Sequence, residues 1–338
     1  MRDDAPDACA APTLADIHDA ASRLRGRAVR TPLLESDLLN DAAGRRVLVK
    51  AESLQRTGSF KFRGAWSKLT SLDAATRARG VVAISSGNHA QGVALAARLL
   101  GVRAVIVMPA DAPAAKREGA RALGAELALY DRAGGEDRDA LTASLCAREG
   151  MALAHPFDDP AVIAGQGTVG LEIAEQAREA GVARAEVLVC CGGGGLTSGV
   201  ALALEGAAPG LRVRPVEPEG FDDVARSLRA GAPQRNARSA GSVCDAILTP
   251  APGRLTLPVM ARLCGPGIAV SDDAALSAMA QAFARLRLAL EPGGAVALAA
   301  ALTRADLAEG GDPADPVMVV ASGGNVDPSV FSAALALV

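Results

Sequence analysis

The sequence predicts an α/β fold built on two open, doubly wound sheets. Two observations carry that reading. Short, almost wholly apolar runs recur along the chain, and stretches with the 3.6-residue period of an amphipathic helix separate them. Glycine-rich or serine-rich clusters also stand directly after three of the apolar runs. These are the strand-to-helix loops, at the carboxyl ends of strands, where ligands of such folds bind.

Taken in order, residues 1–12 read as a frayed tail. Thr13 then caps a helix running to Leu24, with Ile17, Ala20, Ala21 and Leu24 on one face. The runs 47–50, 81–84, 104–108, 126–130, 186–191, 211–216 and 317–321 read as strands, most of them apolar nearly throughout, as parallel strands covered on both faces should be. Helical stretches lie between them at 88–100, 114–123, 136–148, 168–180, 196–206, 272–287 and 294–307. A chain of 338 residues, half of them hydrophobic, exceeds what one core usually needs. Two domains are expected: a large one from 1–70 and 158–338, and a small α/β domain, 71–157, inserted into it.

Composition excludes several function classes. The net charge is −3, the basic residues are scattered, and only 2% of residues are aromatic, so neither nucleic acid nor an acidic membrane surface is a partner. Six cysteines are present, with no C-x-x-C pair and no His/Cys metal spacing, which suits free thiols in a reducing, cytoplasmic setting. The acidic first residues do not read as a signal peptide, and no apolar run approaches the ~20 residues of a membrane span.

Four motifs carry chemistry. In Thr57-Gly58-Ser59-Phe60-Lys61-Phe62-Arg63-Gly64-Ala65, Lys61 stands between two aromatic rings where a Gly-Ser turn gives way to a helix; desolvation there favours the neutral, nucleophilic amine. Ser85-Ser86-Gly87-Asn88-His89 follows a strand and opens a helix, where unpaired N–H groups suit a carboxylate or a ring oxygen. Gly192-Gly193-Gly194-Gly195-Leu196 is neither a Walker loop nor a G-x-G-x-x-G fingerprint. Four successive glycines at a helix start make a phosphate nest. Ser322-Gly323-Gly324-Asn325 ends another strand and offers a hydroxyl to a ring nitrogen.

This ordered set resembles the fold-type II pyridoxal-phosphate enzymes, the tryptophan-synthase-β-like fold, and within them the threonine/serine dehydratase and serine racemase branch. The likeness runs from about Thr13 to Val330 and includes His155-Pro156-Phe157-Asp158-Asp159 and Ala164-Gly165-Gln166-Gly167-Thr168. It implies that Lys61 holds pyridoxal 5'-phosphate as a Schiff base beside Phe60. Asn88 would bond the ring hydroxyl, Gly192 to Gly195 with the Leu196 N–H would cradle the phosphate, and Ser322 would face the pyridine nitrogen. Ser85, Asn88 and His89 would present backbone or side-chain donors to the substrate carboxylate. Lys61 would take the α-proton, and the cofactor phosphate would protonate the departing β-hydroxyl.

Ser86 would serve as a second base on the opposite face, permitting racemisation. Glu217 and Asp223, with the Phe221 carbonyl, resemble that branch's site for a divalent cation (Mg2+, Mn2+ or Ca2+). Arg138 aligns with a pocket arginine that would suit a second substrate carboxylate; a solvated helix charge is the competing reading. The activity implied is dehydration of L-threonine or L-serine to a 2-oxo acid and ammonia by a homodimer. 3-Hydroxyaspartate dehydration and serine racemisation are alternatives within the class, and a non-catalytic small-molecule sensor is the alternative outside it. With the chain ending about a dozen residues after Asn325, no C-terminal regulatory domain is expected.

Overall fold

The structure, a computed structural model, describes residues 10–132, 134–303 and 315–337. It begins with α1 (Leu14–Leu24), β1 (Leu33–Leu34), α2 (Asp37–Ala43), β2 (Val47–Lys50), α3 (Lys61–Ser71) and α4 (Ala74–Arg79). It continues through β3 (Val81–Ile84), α5 (Asn88–Leu100), β4 (Ala104–Pro109), α6 (Ala114–Ala122), β5 (Glu126–Tyr130), α7 (Arg138–Glu149) and β6 (Ala152–Leu153). There follow α8 (Pro160–Glu179), β7 (Ala185–Cys190), α9 (Gly195–Ala207), β8 (Leu211–Pro218), α10 (Asp223–Ala230), α11 (Thr256–Leu263) and β9 (Ile268–Val270). Last come α12 (Asp272–Leu286), α13 (Pro292–Thr303), β10 (Val317–Val320) and α14 (Pro328–Leu335).

Two sheets form, as expected. The six-stranded sheet has the order β1-β2-β10-β7-β8-β9, parallel except for the antiparallel edge pair β1–β2, and the four-stranded sheet runs β5-β4-β3-β6, all parallel. The inner strands β2, β4, β7 and β10 bury every or nearly every residue, which is why they read as unbroken apolar runs.

Local chemistry explains the element boundaries. Thr13 and Asp16 form a capping box on α1: Asp16 N–H donates to Thr13 Oγ1 at 3.3 Å, and Thr13 N–H donates to Asp16 Oδ2 at 2.7 Å. The helix expected from residue 136 starts at Arg138, because the Asp137 carboxylate accepts the Asp139 and Ala140 N–H groups. The helix expected from 168 starts eight residues earlier, at Pro160, capped by Asp159. Most of α8 is buried, so no polar face marks its beginning. The helix expected at 294–307 is α13, which starts two residues earlier at Pro292; the expected residues 304–307 lie outside the described ones.

Helices α8 and α9 touch backbone to backbone. A Cβ on Gly199 would lie 2.5 Å from the Ile163 carbonyl oxygen, and one on Gly170 would lie 2.9 Å from that of Val200. Beneath the start of α3, a buried ion cluster joins elements distant in sequence. Arg63 donates to Glu52 (2.7 and 2.8 Å) and to Glu172 (2.7 and 2.9 Å), and Lys50 donates to Glu172 at 2.6 Å. Arg63 and Glu52 are essentially excluded from solvent. No described helix is long and apolar enough to cross a membrane.

Candidate active site

The loops after β3, β7 and β10 converge on one cleft of ≈ 640 Å³, which also receives the N-terminus of α3. Lys61 opens that helix. The turn before it needs two left-handed residues, Thr57 (φ 61°) and Gly58 (φ 72°), and a Cβ on Gly58 would collide with the Asn325 side chain. Phe60 N–H donates to the Ser322 carbonyl oxygen at 3.1 Å, and Ser59 bridges to Gly323, so the lysine turn is tied to the strand-end loop 322–325. The Lys61 Nζ donates to the Pro156 carbonyl oxygen at 2.8 Å and sits 5.1 Å from the Phe60 ring centroid. Burial lowers its pKa to about 8, against the opposing pull of Cys190 and Glu291.

Ser85 and Ser86 line the cleft half-buried, and Ser85 Oγ accepts the Gly87 N–H at 3.1 Å. Asn88, the first residue of α5, is held at both ends of its amide. Nδ2 donates to Glu291 Oε1 at 2.6 Å, and Oδ1 accepts from Asn325 Nδ2 at 2.7 Å. Of the backbone and side-chain donors expected at His89, the ring is engaged elsewhere. It is buried and its Nε2 is 2.8 Å from the Ala154 carbonyl oxygen, so that nitrogen carries the proton and Nδ1 is left as an unpartnered acceptor. Desolvation takes its pKa to about 3. With Nε2 engaged, the ring offers the cleft no donor, and the His89 backbone N–H is the donor that remains.

Gly192 to Gly195 line the same cleft at the start of α9. Gly194 has φ +90°, and a Cβ on Gly193 would lie 2.5 Å from the Phe157 ring carbon Cγ. Nothing but glycine fits this cradle, and α9 adds the Leu196 N–H and the positive end of its dipole. Ser322 is buried at the end of β10, beside Cys190, whose thiol burial pushes up to about 11.

Arg138 lies at the mouth of the cleft, its side chain half exposed, with Asp139 3.6 Å away. The acidic pair sits elsewhere. Glu217, Phe221 and Asp223 are each at most 1% exposed. Both Glu217 oxygens accept backbone N–H groups, from Val224 at 2.9 Å and Ala225 at 2.7 Å. Asp223 Oδ1 accepts from Asn236 Nδ2 at 2.6 Å, while Oδ2 is buried without a partner. Burial pushes the Asp223 carboxyl up to about 6 and the Glu217 carboxyl well above its usual range, with the Asp223 charge adding to the latter. No cluster of three His, Cys, Asp or Glu side chains suited to a metal occurs among the described residues.

Several cleft residues were given no site role by the sequence reading. Glu291 is only 7% exposed, and burial raises its carboxyl to about 7. Its one local signal is a charge set directly before Pro292-Gly293-Gly294 and a helix without a charged residue. His155 Nδ1 accepts the Phe157 and Asp158 N–H groups at 3.3 and 2.8 Å, which fixes the tautomer with the proton on Nε2. Lys116 pairs with Asp245 at 3.1 Å across the cleft mouth.

These residues fit pyridoxal phosphate. A desolvated lysine amine, a glycine loop in which every added Cβ would meet a neighbouring residue, a strand-end hydroxyl and a clamped amide share one cavity.

The comparisons agree. A family described as pyridoxal-phosphate dependent enzyme matches residues 24–323. The L-threo-3-hydroxyaspartate ammonia-lyase of a Pseudomonas species is 40% identical over 320 residues, covering 95% of this chain and 97% of the relative. The L-threonine ammonia-lyase of Thermotoga maritima is 40% identical over 317 residues, covering 93% and 76%. The solved structure of maize serine racemase superposes with a TM-score of 0.88 at 36% identity, covering 97% and 98%.

Proposed function

The chain belongs to the pyridoxal-phosphate-dependent enzyme family, and from that premise we propose that it is an ammonia-lyase that converts a β-hydroxy-α-amino acid, L-threonine or L-serine first, to a 2-oxo acid and ammonia. The observation that carries this reading is the pairing of a lysine amine depressed to about 8 with an all-glycine cradle in the same cleft.

Lys61 Nζ would hold the cofactor. Gly192 to Gly195 and the Leu196 N–H would hold its phosphate, Asn88 and Ser322 its ring, and Phe60 would pack alongside. When bound, the cofactor supplies an electron sink conjugated to the substrate α-carbon. The chain's own groups do the rest. The N–H groups at the start of α5, with Ser85, receive the substrate carboxylate. Lys61 Nζ, whose neutral share burial increases, would take the proton from the α-carbon. Ser322 would offer the pyridine nitrogen a neutral hydroxyl, which would not hold it protonated as a carboxylate would and so would favour elimination over long-lived carbanions. Movement of the 71–157 domain over the cleft would exclude water.

Glu217, Asp223 and the Phe221 carbonyl would hold a divalent cation. Two buried carboxylates and the unpartnered Asp223 Oδ2 make a donor set short of positive charge. A homodimer in a reducing, cytoplasmic setting completes the proposal.

A second reading, 3-hydroxyaspartate as substrate, is favoured by Arg138 at the cleft mouth. Serine racemisation would rest on Ser86 Oγ acting opposite Lys61. The deciding experiment measures 2-oxo acid release by the cofactor-loaded protein on L-threonine, L-serine and the 3-hydroxyaspartate isomers, with and without Mg2+. A hydroxyaspartate preference above about tenfold, ~1.4 kcal/mol, that disappears in Arg138→Ala establishes second-carboxylate recognition. A threonine or serine preference untouched by Arg138→Ala refutes it. Turnover surviving in Lys61→Ala would overturn the mechanism.

A further inference from the structure

Glu291 is a nearly fully buried carboxylate in the wall of the cleft, and the proposed reaction gives it no task. Its surroundings are tightly determined. Its N–H donates to the Gly323 carbonyl oxygen at 3.1 Å, and a Cβ on Gly323 would overlap Glu291 Oε1 and come within 3.3 Å of Asn88 Nδ2. The carboxylate is therefore pressed between the strand-end loop and the first residue of α5. Asn325 closes the other side, its Nδ2 donating to both Asn88 Oδ1 and the Thr57 carbonyl oxygen, each at 2.7 Å.

A side-chain amide offers two N–H donors at one end and an acceptor at the other. In Asn88 the acceptor is used by Asn325, and one N–H by Glu291 at 2.6 Å. A flipped amide would set Oδ1 against a carboxylate oxygen and Nδ2 against another NH2 group. It would lose both hydrogen bonds and gain two like-sign contacts. One amide N–H is left over, and it is the only side-chain donor Asn88 can still offer the cleft.

We propose that Glu291 is a positioning residue for the cofactor: by fixing the Asn88 amide, it ensures that an N–H rather than a carbonyl oxygen meets the ring hydroxyl. This rests on the cofactor reading of the cleft. Of the two clamps, Glu291 alone is ionisable, and its bond to Asn88 is the shorter of the two, 2.6 Å against 2.7 Å.

The test is a double-mutant cycle on cofactor binding, read as the pyridoxal phosphate dissociation constant and the position of the visible cofactor band. Glu291→Ala should weaken binding about tenfold and displace the band. In an Asn88→Ala background the same change should alter the constant less than twofold, since its target is gone. An equal loss in both backgrounds, or no loss in the parent, overturns the proposal. If Glu291→Ala does not fold, Glu291→Gln carries the test, because its amide oxygen still accepts from Asn88. Affinity within threefold of the parent and an unmoved band support the assignment; a loss as large as that of Asn88→Ala refutes it. A parent protein that gains no visible band at all would instead overturn the cofactor reading itself.

Discussion

Lys61 reacts only as a free amine, so its proton affinity sets how readily it captures an aldehyde. An ordinary lysine titrates at ~10.4, leaving roughly one molecule in 2,500 neutral at pH 7. With burial lowering Lys61 to about 8, the neutral share rises to about one in ten. Phe60 contributes in two opposing ways. Its ring keeps water from Nζ, which lowers the pKa, while its face attracts the charged form, which raises it. A partly solvated cation–π contact is worth ~0.5–1 kcal/mol, less than one decade in proton affinity. The fall from 10.5 to about 8 spans more than two decades and has desolvation as its largest cause. Desolvation should therefore win, and Phe60→Ser should move the titration upward. Trace acetylation of the cofactor-free protein against a reference amine, read by peptide mass spectrometry from pH 6 to 11, follows Lys61 directly. The parent should level off near pH 8 and the variant closer to pH 9. If the parent's reactivity still climbs tenfold per pH unit beyond 9.5, or if both proteins level at the same pH, burial is not what activates this lysine.

Other consequences can be checked together. Gly193→Ala should weaken pyridoxal phosphate binding about tenfold to a hundredfold, because its Cβ meets the Phe157 ring and overpacking costs ~1–3 kcal/mol. Gly119→Ala, with nothing within 4 Å of its Cβ, should leave binding unchanged and add ~0.5–1 kcal/mol of stability in denaturant titrations. Glu52→Gln strips the fully buried Arg63 of one of its two carboxylate partners and should cost about 3 kcal/mol of unfolding free energy; a cost under ~1 kcal/mol would show the cluster to be slack. The acidic pair gives a pH signature. Asp223 is raised from 3.8 to about 6, so its ionisation opposes folding; the penalty appears as pH rises from about 4 and is complete above about 6. Mg2+ should accordingly raise the melting temperature at pH 8 and do little at pH 4.5, and an equal shift at both would remove Asp223 from the cation site.

The parts of this protein that were legible in its sequence are local ones. The lysine turn, the glycine cradle and the strand-end serine each lie within a few consecutive residues, and the inner strands are apolar because both faces are covered. What escaped is held together across the chain. The Asn88–Glu291 bond joins residues 203 apart and the Asn88–Asn325 bond residues 237 apart, and no local pattern encodes either. Strands β1, β6 and β9 are two or three residues long, too short to show a period. The start of α8 was missed because a helix buried on nearly every side has no polar stripe. The spacing of Glu217 and Asp223 could be read, but not that backbone N–H groups already occupy both Glu217 oxygens.

The glycine contact between α8 and α9 has a consequence beyond packing. The N-terminus of α9 is a wall of the glycine cradle proposed to hold the cofactor phosphate, so whatever tilts that helix also moves the cradle. A methyl group added at Gly199 would do two kinds of damage at once, lowering the free energy of folding and loosening the grip on the cofactor. Because a bound ligand draws the folded population with it, such an injury would be partly curable. The variant would fail when pyridoxal phosphate is scarce and recover when it is plentiful. Damage in the remote packing of α12 against α14 would leave the cradle in place and show no such dependence on supply.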